Sequence, residues 1–372
     1  MATPTRTPSP PARLQRSERV AVGVVAVFTT LAGLAHYAGW APLLAFALAA
    51  VALAGLAHVV SFATEQVGRR FGPGVTGLMQ STLGNLPELF VVIFALRAGE
   101  VVVAQTSIIG SLFANALLVL GLVIVVGARA ADATTMTFRK RLPNDTATLM
   151  LVTVFIIVVV GQSLHEQDPA SHHVRTISAV AAVALLAVYL AWVIPYVRGD
   201  RAADGDAGAP TAELQDEAPA GVPLRVSLAL LAAAGAGAAF VSDWFVAGLR
   251  PTIDQLGISE AFAGIVIVAI AGNAVENVAG LVLAHKGQAD LAISVVKNSV
   301  AQIAAFLFPV LVLVSLLFAH QLTFALSPVY TGALLVSALA VWQITGDGEA
   351  AAFEGWALVA LYVVLAALTL YE

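Results

Sequence analysis

Residues 77–121 read GLMQSTLGNLPELFVVIFALRAGEVVVAQTSIIGSLFANALLVLG, and residues 265–311 read IVIVAIAGNAVENVAGLVLAHKGQADLAISVVKNSVAQIAAFLFPVL. Each stretch is an apolar run interrupted by Gly-Asn-x-x-Glu. Gly84, Asn85 and Glu88 match Gly272, Asn273 and Glu276 at a constant offset of 188 residues, and Gly99/Gly287 and Ser111/Ser299 keep the same offset. An ionisable side chain at the centre of a membrane helix costs about 2.5–3.5 kcal/mol on insertion scales. Two such carboxylates related by an internal repeat are a pattern with a purpose.

The rest of the chain supplies the membrane. Of its 372 residues, 59% are hydrophobic and 11% charged, with a mean hydropathy of +0.91. Soluble domains carry about 25% charged residues. Apolar runs long enough to cross a bilayer recur along almost the whole length. The chain reads as an all-α polytopic membrane protein. Its net charge of −5 and lack of a basic patch give no sign of nucleic-acid binding, and with no cysteine there is neither a disulfide nor a thiolate site.

Eleven spans fit, at about 20–38, 42–62, 75–97, 102–127, 146–163, 174–197, 223–247, 261–285, 290–317, 325–345 and 354–371. Residues 1–19, rich in Pro, Thr, Ser and Arg, read as a disordered tail. With the N-terminus inside, fourteen of the eighteen Lys and Arg residues fall in inner segments and three outside, with Lys297 within a span. The positive-inside rule then puts the N-terminus in the cytoplasm and the C-terminus outside. The two motif copies fall on the third and eighth spans, an odd separation, so they are inverted relative to each other. The expected organisation is one N-terminal helix (20–41), a first five-helix repeat (42–197), an acidic inner linker (198–222) and a second, inverted five-helix repeat (223–372). The linker reads as a solvated connection, with a weak cation-sensing loop as the alternative. Inverted repeats are an architecture of secondary transporters, with the substrate near the midplane.

Around the carboxylates the polar residues are hard oxygen donors. Asn85 and Asn273 each precede a Glu by three residues, a spacing that stacks amide and carboxylate on one face of a continuous helix. Ser81 extends the first stripe. Gly84, Pro87 and Gly272 weaken the helices and free carbonyls. Ser107, Ser111 and Asn115 form a stripe on the fourth span, and Asn298, Ser299 and Gln302 a second on the ninth. Taken singly, such residues are helix–helix glue; as a set, they complete a site or line its access path. Carboxylate, amide and carbonyl oxygens suit a hard cation such as Ca²⁺. A carboxylate binds either a cation or a proton, and that competition is a physical basis for exchange.

At these residues the sequence resembles the calcium/proton antiporters (the CAX family) of the cation/calcium exchanger superfamily. The resemblance runs from about residue 50 onward, through GNLPEL at 84–89, AQTSIIGSLFANALLVLG at 104–121, LGISEAFAGIVIVAIAGNAVE at 256–276, NSVAQIAAFLFPVLVL at 298–313 and the tail at 345–368. It implies a transporter of the cytoplasmic (inner) membrane that exports Ca²⁺ against returning H⁺, with Ca²⁺ as substrate and no cofactor. It implies that Glu88 and Glu276 are the central ion ligands. It further implies that Asn85, Asn273, Ser111, Ser299, Gln105 and Gln302 belong to the site and its access path, and that the N-terminal helix is peripheral. Glu65 and Asp243, near symmetry-related helix ends, are either vestibule carboxylates or ordinary interface charges. The sequence departs from the family at Asn277, where a His is common, at Asn298, at Pro87 and at Lys297. Lys297 either snorkels to the interface or sets a fixed positive charge near the site. A monovalent-cation/H⁺ or Na⁺/Ca²⁺ exchanger on the same fold and a passive channel are the rival readings. No protease-like or other catalytic motif suggests an intramembrane enzyme. Whether the chain assembles as an oligomer is left open.

Overall fold

The computed structural model describes residues 14–68, 70, 79, 82–131, 134–197 and 222–372. The expected tail therefore lies outside the described residues over 1–13, as does the linker over 198–221. The described residues are almost entirely helical. Helices α1 (Arg16–Tyr37) and α2 (Pro42–Gly68) lead to a shorter α3 (Leu86–Ala98) and a long α4 (Val101–Ala130). A short strand β1 (Thr135–Thr137) precedes α5 (Arg141–Glu166) and α6 (Val174–Val197). The second half brings α7 (Leu224–Leu256), α8 (Glu260–Gly272), α9 (Ala274–His285), α10 (Ala289–Ser315), α11 (Pro328–Thr345), strand β2 (Glu349–Ala351) and α12 (Ala352–Leu370).

Among the described residues, nine helices are long and apolar enough to cross a membrane, and the bent pair α8–α9 makes a tenth. The third expected span, 75–97, is described chiefly through α3, and residues 71–78, 80 and 81 lie outside the description. Two boundaries need correction. Arg16 and Arg19 belong to the first turn of α1 and not to a tail, and α7 runs on through Pro251 to Leu256.

Side-to-side pairings test the topology independently of charge. β1 pairs antiparallel with β2 (Thr135 with Ala351, Thr137 with Glu349), and Arg139 bonds Asp290 through its backbone N–H at 2.7 Å. Gln66 and Arg70 at the end of α2 grip the backbone N–H and carbonyl of Val222. All these segments lie on the Arg-rich side of the charge map. On the opposite side Arg250 meets Glu100 and Glu260, and Ser259 donates to the Thr369 carbonyl. None of these pairings joins segments assigned to opposite sides.

The two halves leave matching marks on the backbone. Gly99 and Gly287, already paired by the repeat, have φ of +84° and +74° in the turns that follow α3 and α9. Only glycine adopts that conformation without steric cost. α4 and α10 are the most buried of the spanning helices, whereas α1, α6 and α12 are largely exposed along an apolar surface suited to lipid. Each buried helix also contains a π-helical segment, Ala114–Val119 in α4 and Ile303–Leu307 in α10, at nearly the same repeat position. α2 and α7, equivalent in the repeat, pack against each other.

Candidate ion-binding site

The Gly-Asn pair does more than weaken a helix. It ends one helix and starts another. α8 stops at Gly272, α9 begins at Ala274, and their axes differ by 62°. Asn273 is the hinge residue between them, with φ −104° and ψ 13°. Asn85 has nearly the same conformation, φ −89° and ψ 10°, ahead of α3. The expectation of amide and carboxylate stacked along one continuous helix is therefore corrected. Each Asn is an N-cap residue, and each Glu sits in the first turn of a new half-helix. Pro87 falls in the first turn of α3, where its missing N–H costs nothing. The break therefore aims two helix N-termini, the positive ends of their dipoles, at two carboxylates.

Each carboxylate is held by the serine that shares its repeat. Ser111 of α4 donates from Oγ to Glu88 Oε1, and Ser299 of α10 donates from Oγ to Glu276 Oε2. The halves then interlock. Asn273 Nδ2 donates to Ser111 Oγ at 2.9 Å and to the Ala269 carbonyl at 3.0 Å. A β-carbon on Gly272 would lie 4.0 Å from Cβ and Cγ of Glu88, so the second Gly-Asn pair abuts the first carboxylate directly. Glu276 follows Gly272 by about one turn on the adjoining half-helix, which brings the second carboxylate into the same neighbourhood.

Oxygens without donors mark what the site lacks. Glu88 is only 5% exposed, and its Oε2 accepts no hydrogen bond from any described residue. Asn115 Oδ1 and Asn277 Oδ1 are likewise buried and unpaired. The amide of Asn115 is oriented by its Nδ2, which donates to the Ser111 carbonyl at 2.9 Å. A buried ionised carboxylate is costly unless paired. Buried oxygens without hydrogen-bond partners can be satisfied by a hard cation or, at the carboxylates, by protons. Glu276 is half-buried while Glu88 is buried, so the two are not equivalent.

The other expected residues scatter. Asn85, Ser299 and Gln302 are buried near the breaks and the π segment of α10, and Asn298 is half-buried. Ser81 lies outside the described residues. Ser107 does not join the carboxylates. It donates to the Ala104 carbonyl at 3.0 Å, where α4 crosses α8. Gln105 donates to the Ala325 carbonyl at 2.8 Å and lines a cavity of about 380 Å³ with Thr106, Glu260 and Tyr330, which neither Glu88 nor Glu276 lines. Glu65 is half-buried in the last turn of α2, whereas Asp243 is exposed well inside α7, so the expected symmetry between them fails. Lys297 is buried and does not snorkel.

Sequence reasoning missed the π segments of α4 and α10, a third at Ala263–Val268 in α8, and the tightness of the α4–α8 crossing. A β-carbon on Gly110 would overlap the Ile265 backbone, and one on Gly264 would overlap Thr106. The small residues that permit this approach were visible in the sequence; the partner helix was not.

Comparison with known proteins fits this geometry. A family model described as sodium/calcium exchanger protein matches residues 41–195 and 226–371. The vacuolar calcium ion transporter of Schizosaccharomyces pombe is 31% identical over 345 residues, covering 91% of this chain and 82% of that protein. The Ca(2+)/H(+) antiporter of Synechocystis is 30% identical over 364 residues, covering 92% of this chain and 95% of that protein. The solved structure of native YfkE superposes with a TM-score of 0.77 at 26% identity, covering 95% of this chain and 100% of that one.

Proposed function

The chain belongs to the sodium/calcium exchanger family, and from that premise we propose that it is a Ca²⁺/H⁺ antiporter that exports Ca²⁺ across the cytoplasmic membrane. The observation that carries this reading is the buried, unpaired Oε2 of Glu88 beside a second carboxylate, each acid fixed by a serine at a helix break. Relatives of similar length named as calcium transporters and Ca²⁺/H⁺ antiporters support the choice of ions.

The mechanism follows from charge. Two ionised carboxylates held in one neighbourhood away from solvent repel each other, and either one Ca²⁺ or protons neutralise them. Ca²⁺ binds to Glu88 and Glu276, with Asn115 and Asn277 offering neutral oxygens. Asn273 and Ser111 position Glu88, and Ser299 positions Glu276. Protons arriving at the same carboxylates displace the ion. A protein that changes access only when the site is neutral exchanges one cargo for the other, and the inward proton gradient then drives Ca²⁺ out.

The same reading divides the chain into a peripheral helix at 20–41 and two inverted halves, 42–197 and 223–372, joined by 198–222. The Arg-rich side faces the cytoplasm, with the N-terminus inside and the C-terminus outside. The test is Ca²⁺ uptake into inside-out membrane vesicles. An imposed acid-inside gradient drives uptake on this reading. Uptake that follows a Na⁺ gradient and ignores the proton gradient would refute it.

A further inference from the structure

One buried charge takes no part in the arrangement so far. Lys297 lies on α10 two residues before Ser299 and is only 2% exposed. Its ammonium donates to Thr345 Oγ1 at 2.6 Å, and that hydroxyl donates to the Val341 carbonyl at 2.7 Å. Thr345 is the last residue of α11, so the ammonium meets the carbonyl end of a helix, where positive charge is favoured. Among the described residues no carboxylate forms an ion pair with it. An ammonium balanced only by a hydroxyl and a helix end keeps most of its field, whereas a paired one is largely cancelled.

That charge sits about one helix width from the site. Lys297 and Ser299 are about 3 Å apart along the helix axis, and Ser299 holds Glu276. The two side chains leave the helix roughly 200° apart, so Lys297 faces α11 and acts on Glu276 through space, without ligating the ion. The equivalent position in the first half is Ile109, so the charge has no symmetric counterpart.

We propose that Lys297 is a specificity-determining residue, a tethered cation that weakens the hold of the second carboxylate on multivalent ions and so sets how tightly the site binds Ca²⁺. The proposal rests on Glu276 being a Ca²⁺ ligand. Coulomb energy is proportional to the charge of the bound ion. Removing the tethered charge therefore shifts the logarithm of affinity in a ratio of about 2 to 3 for Ca²⁺ against a trivalent lanthanide. A residue that served packing alone would produce no such scaling.

The test uses the full chain purified in detergent, with Ca²⁺ binding followed by calorimetry and Tb³⁺ binding by luminescence. Lys297→Met tightens Ca²⁺ by about threefold or more and Tb³⁺ by that factor raised to about the power 1.5. Lys297→Arg keeps both affinities within about twofold of the wild type. Thr345→Asp, which gives the ammonium a neutralising partner, reproduces the effect of Lys297→Met and decides the matter alone if the Met variant does not fold. Unchanged or weaker Ca²⁺ binding in the folded variants would overturn the proposal, and so would equal factors for the two ions. Wild-type protein that binds no Ca²⁺, or Glu276→Gln that binds it as well as wild type, would instead overturn the assigned function and the proposal with it.

Discussion

Asn273 of the second half donates a 2.9 Å hydrogen bond to Ser111 of the first, and Ser111 donates in turn to Glu88. A helix break in one repeat thus positions the carboxylate of the other. The site is shared by the two halves, and a substitution in either half is felt by both.

Ser111→Ala tests that relay. It removes a hydrogen bond to a buried carboxylate, and hydrogen bonds to charged groups are worth about 1.5–3 kcal/mol. The Ca²⁺ concentration for half-maximal transport rises by about tenfold or more. Asn273→Ala moves it in the same direction by less, because Ser111 remains. Dose–response curves in vesicles check both, and an unchanged Ser111→Ala curve would remove the relay from the account.

The α4–α8 crossing is tested by adding single methyl groups. Gly110→Ala forces a β-carbon into the Ile265 backbone, and overpacking of this kind costs about 1–3 kcal/mol or more. Its melting temperature in detergent falls. Gly332→Ala on α11 meets nothing within 4 Å and replaces a flexible residue in a helix. That variant is stabilised by about 0.5–1 kcal/mol, and fluorescence-detected size-exclusion melting separates the two.

Arg250 spans Glu260 at 2.8 Å and Glu100 at 3.4 Å, but its side chain is 55% exposed. Exposed pairs contribute about 0–1 kcal/mol and are screened by salt. Arg250→Gln accordingly lowers stability slightly at low ionic strength and not at all at high salt. A large loss at both would mean that this cluster has a role beyond charge pairing.

Asp168 supplies a pH test outside the spanning segments. Its carboxyl is held below the usual aspartate range, first by the Ser163 hydroxyl at 2.6 Å and also by the Ser171 N–H at 3.1 Å. A group whose pKa is lower when folded contributes stability above its unfolded pKa and loses it as pH falls through the folded value. Hydrogen-exchange protection of the Ser171 amide, corrected for intrinsic rate, therefore drops on acidification, and Asp168→Asn abolishes the drop.

Much of this was legible in the sequence, and the gaps have physical causes. Glu88 and Glu276 stood out because a carboxylate in an apolar run has a cost that demands compensation. The repeat was legible because Gly99 and Gly287 occupy turns that only glycine fits, and Ser111 and Ser299 hold the acids. The 62° break was not, because Gly-Asn is compatible with a weak continuous helix until the neighbouring helices take up its free groups. The π segments of α4, α8 and α10 leave no local signature in the sequence. The two sequence readings of Lys297, interfacial or near the site, are not separable by spacing because its partner Thr345 is 48 residues away. Ser107 lies away from the carboxylates, which its spacing does not reveal because helical spacing gives a face and not what lies opposite it.

The central claim is that Glu88 and Glu276 form one site where Ca²⁺ and protons compete. Proton-driven Ca²⁺ uptake into inside-out vesicles, compared among wild type, Glu88→Gln and Glu276→Gln, tests it most directly. Uptake by the wild type is expected to collapse with the proton gradient, and neither variant takes up Ca²⁺ above background. Wild-type uptake indifferent to the proton gradient, or gradient-driven uptake surviving in either variant, would contradict it.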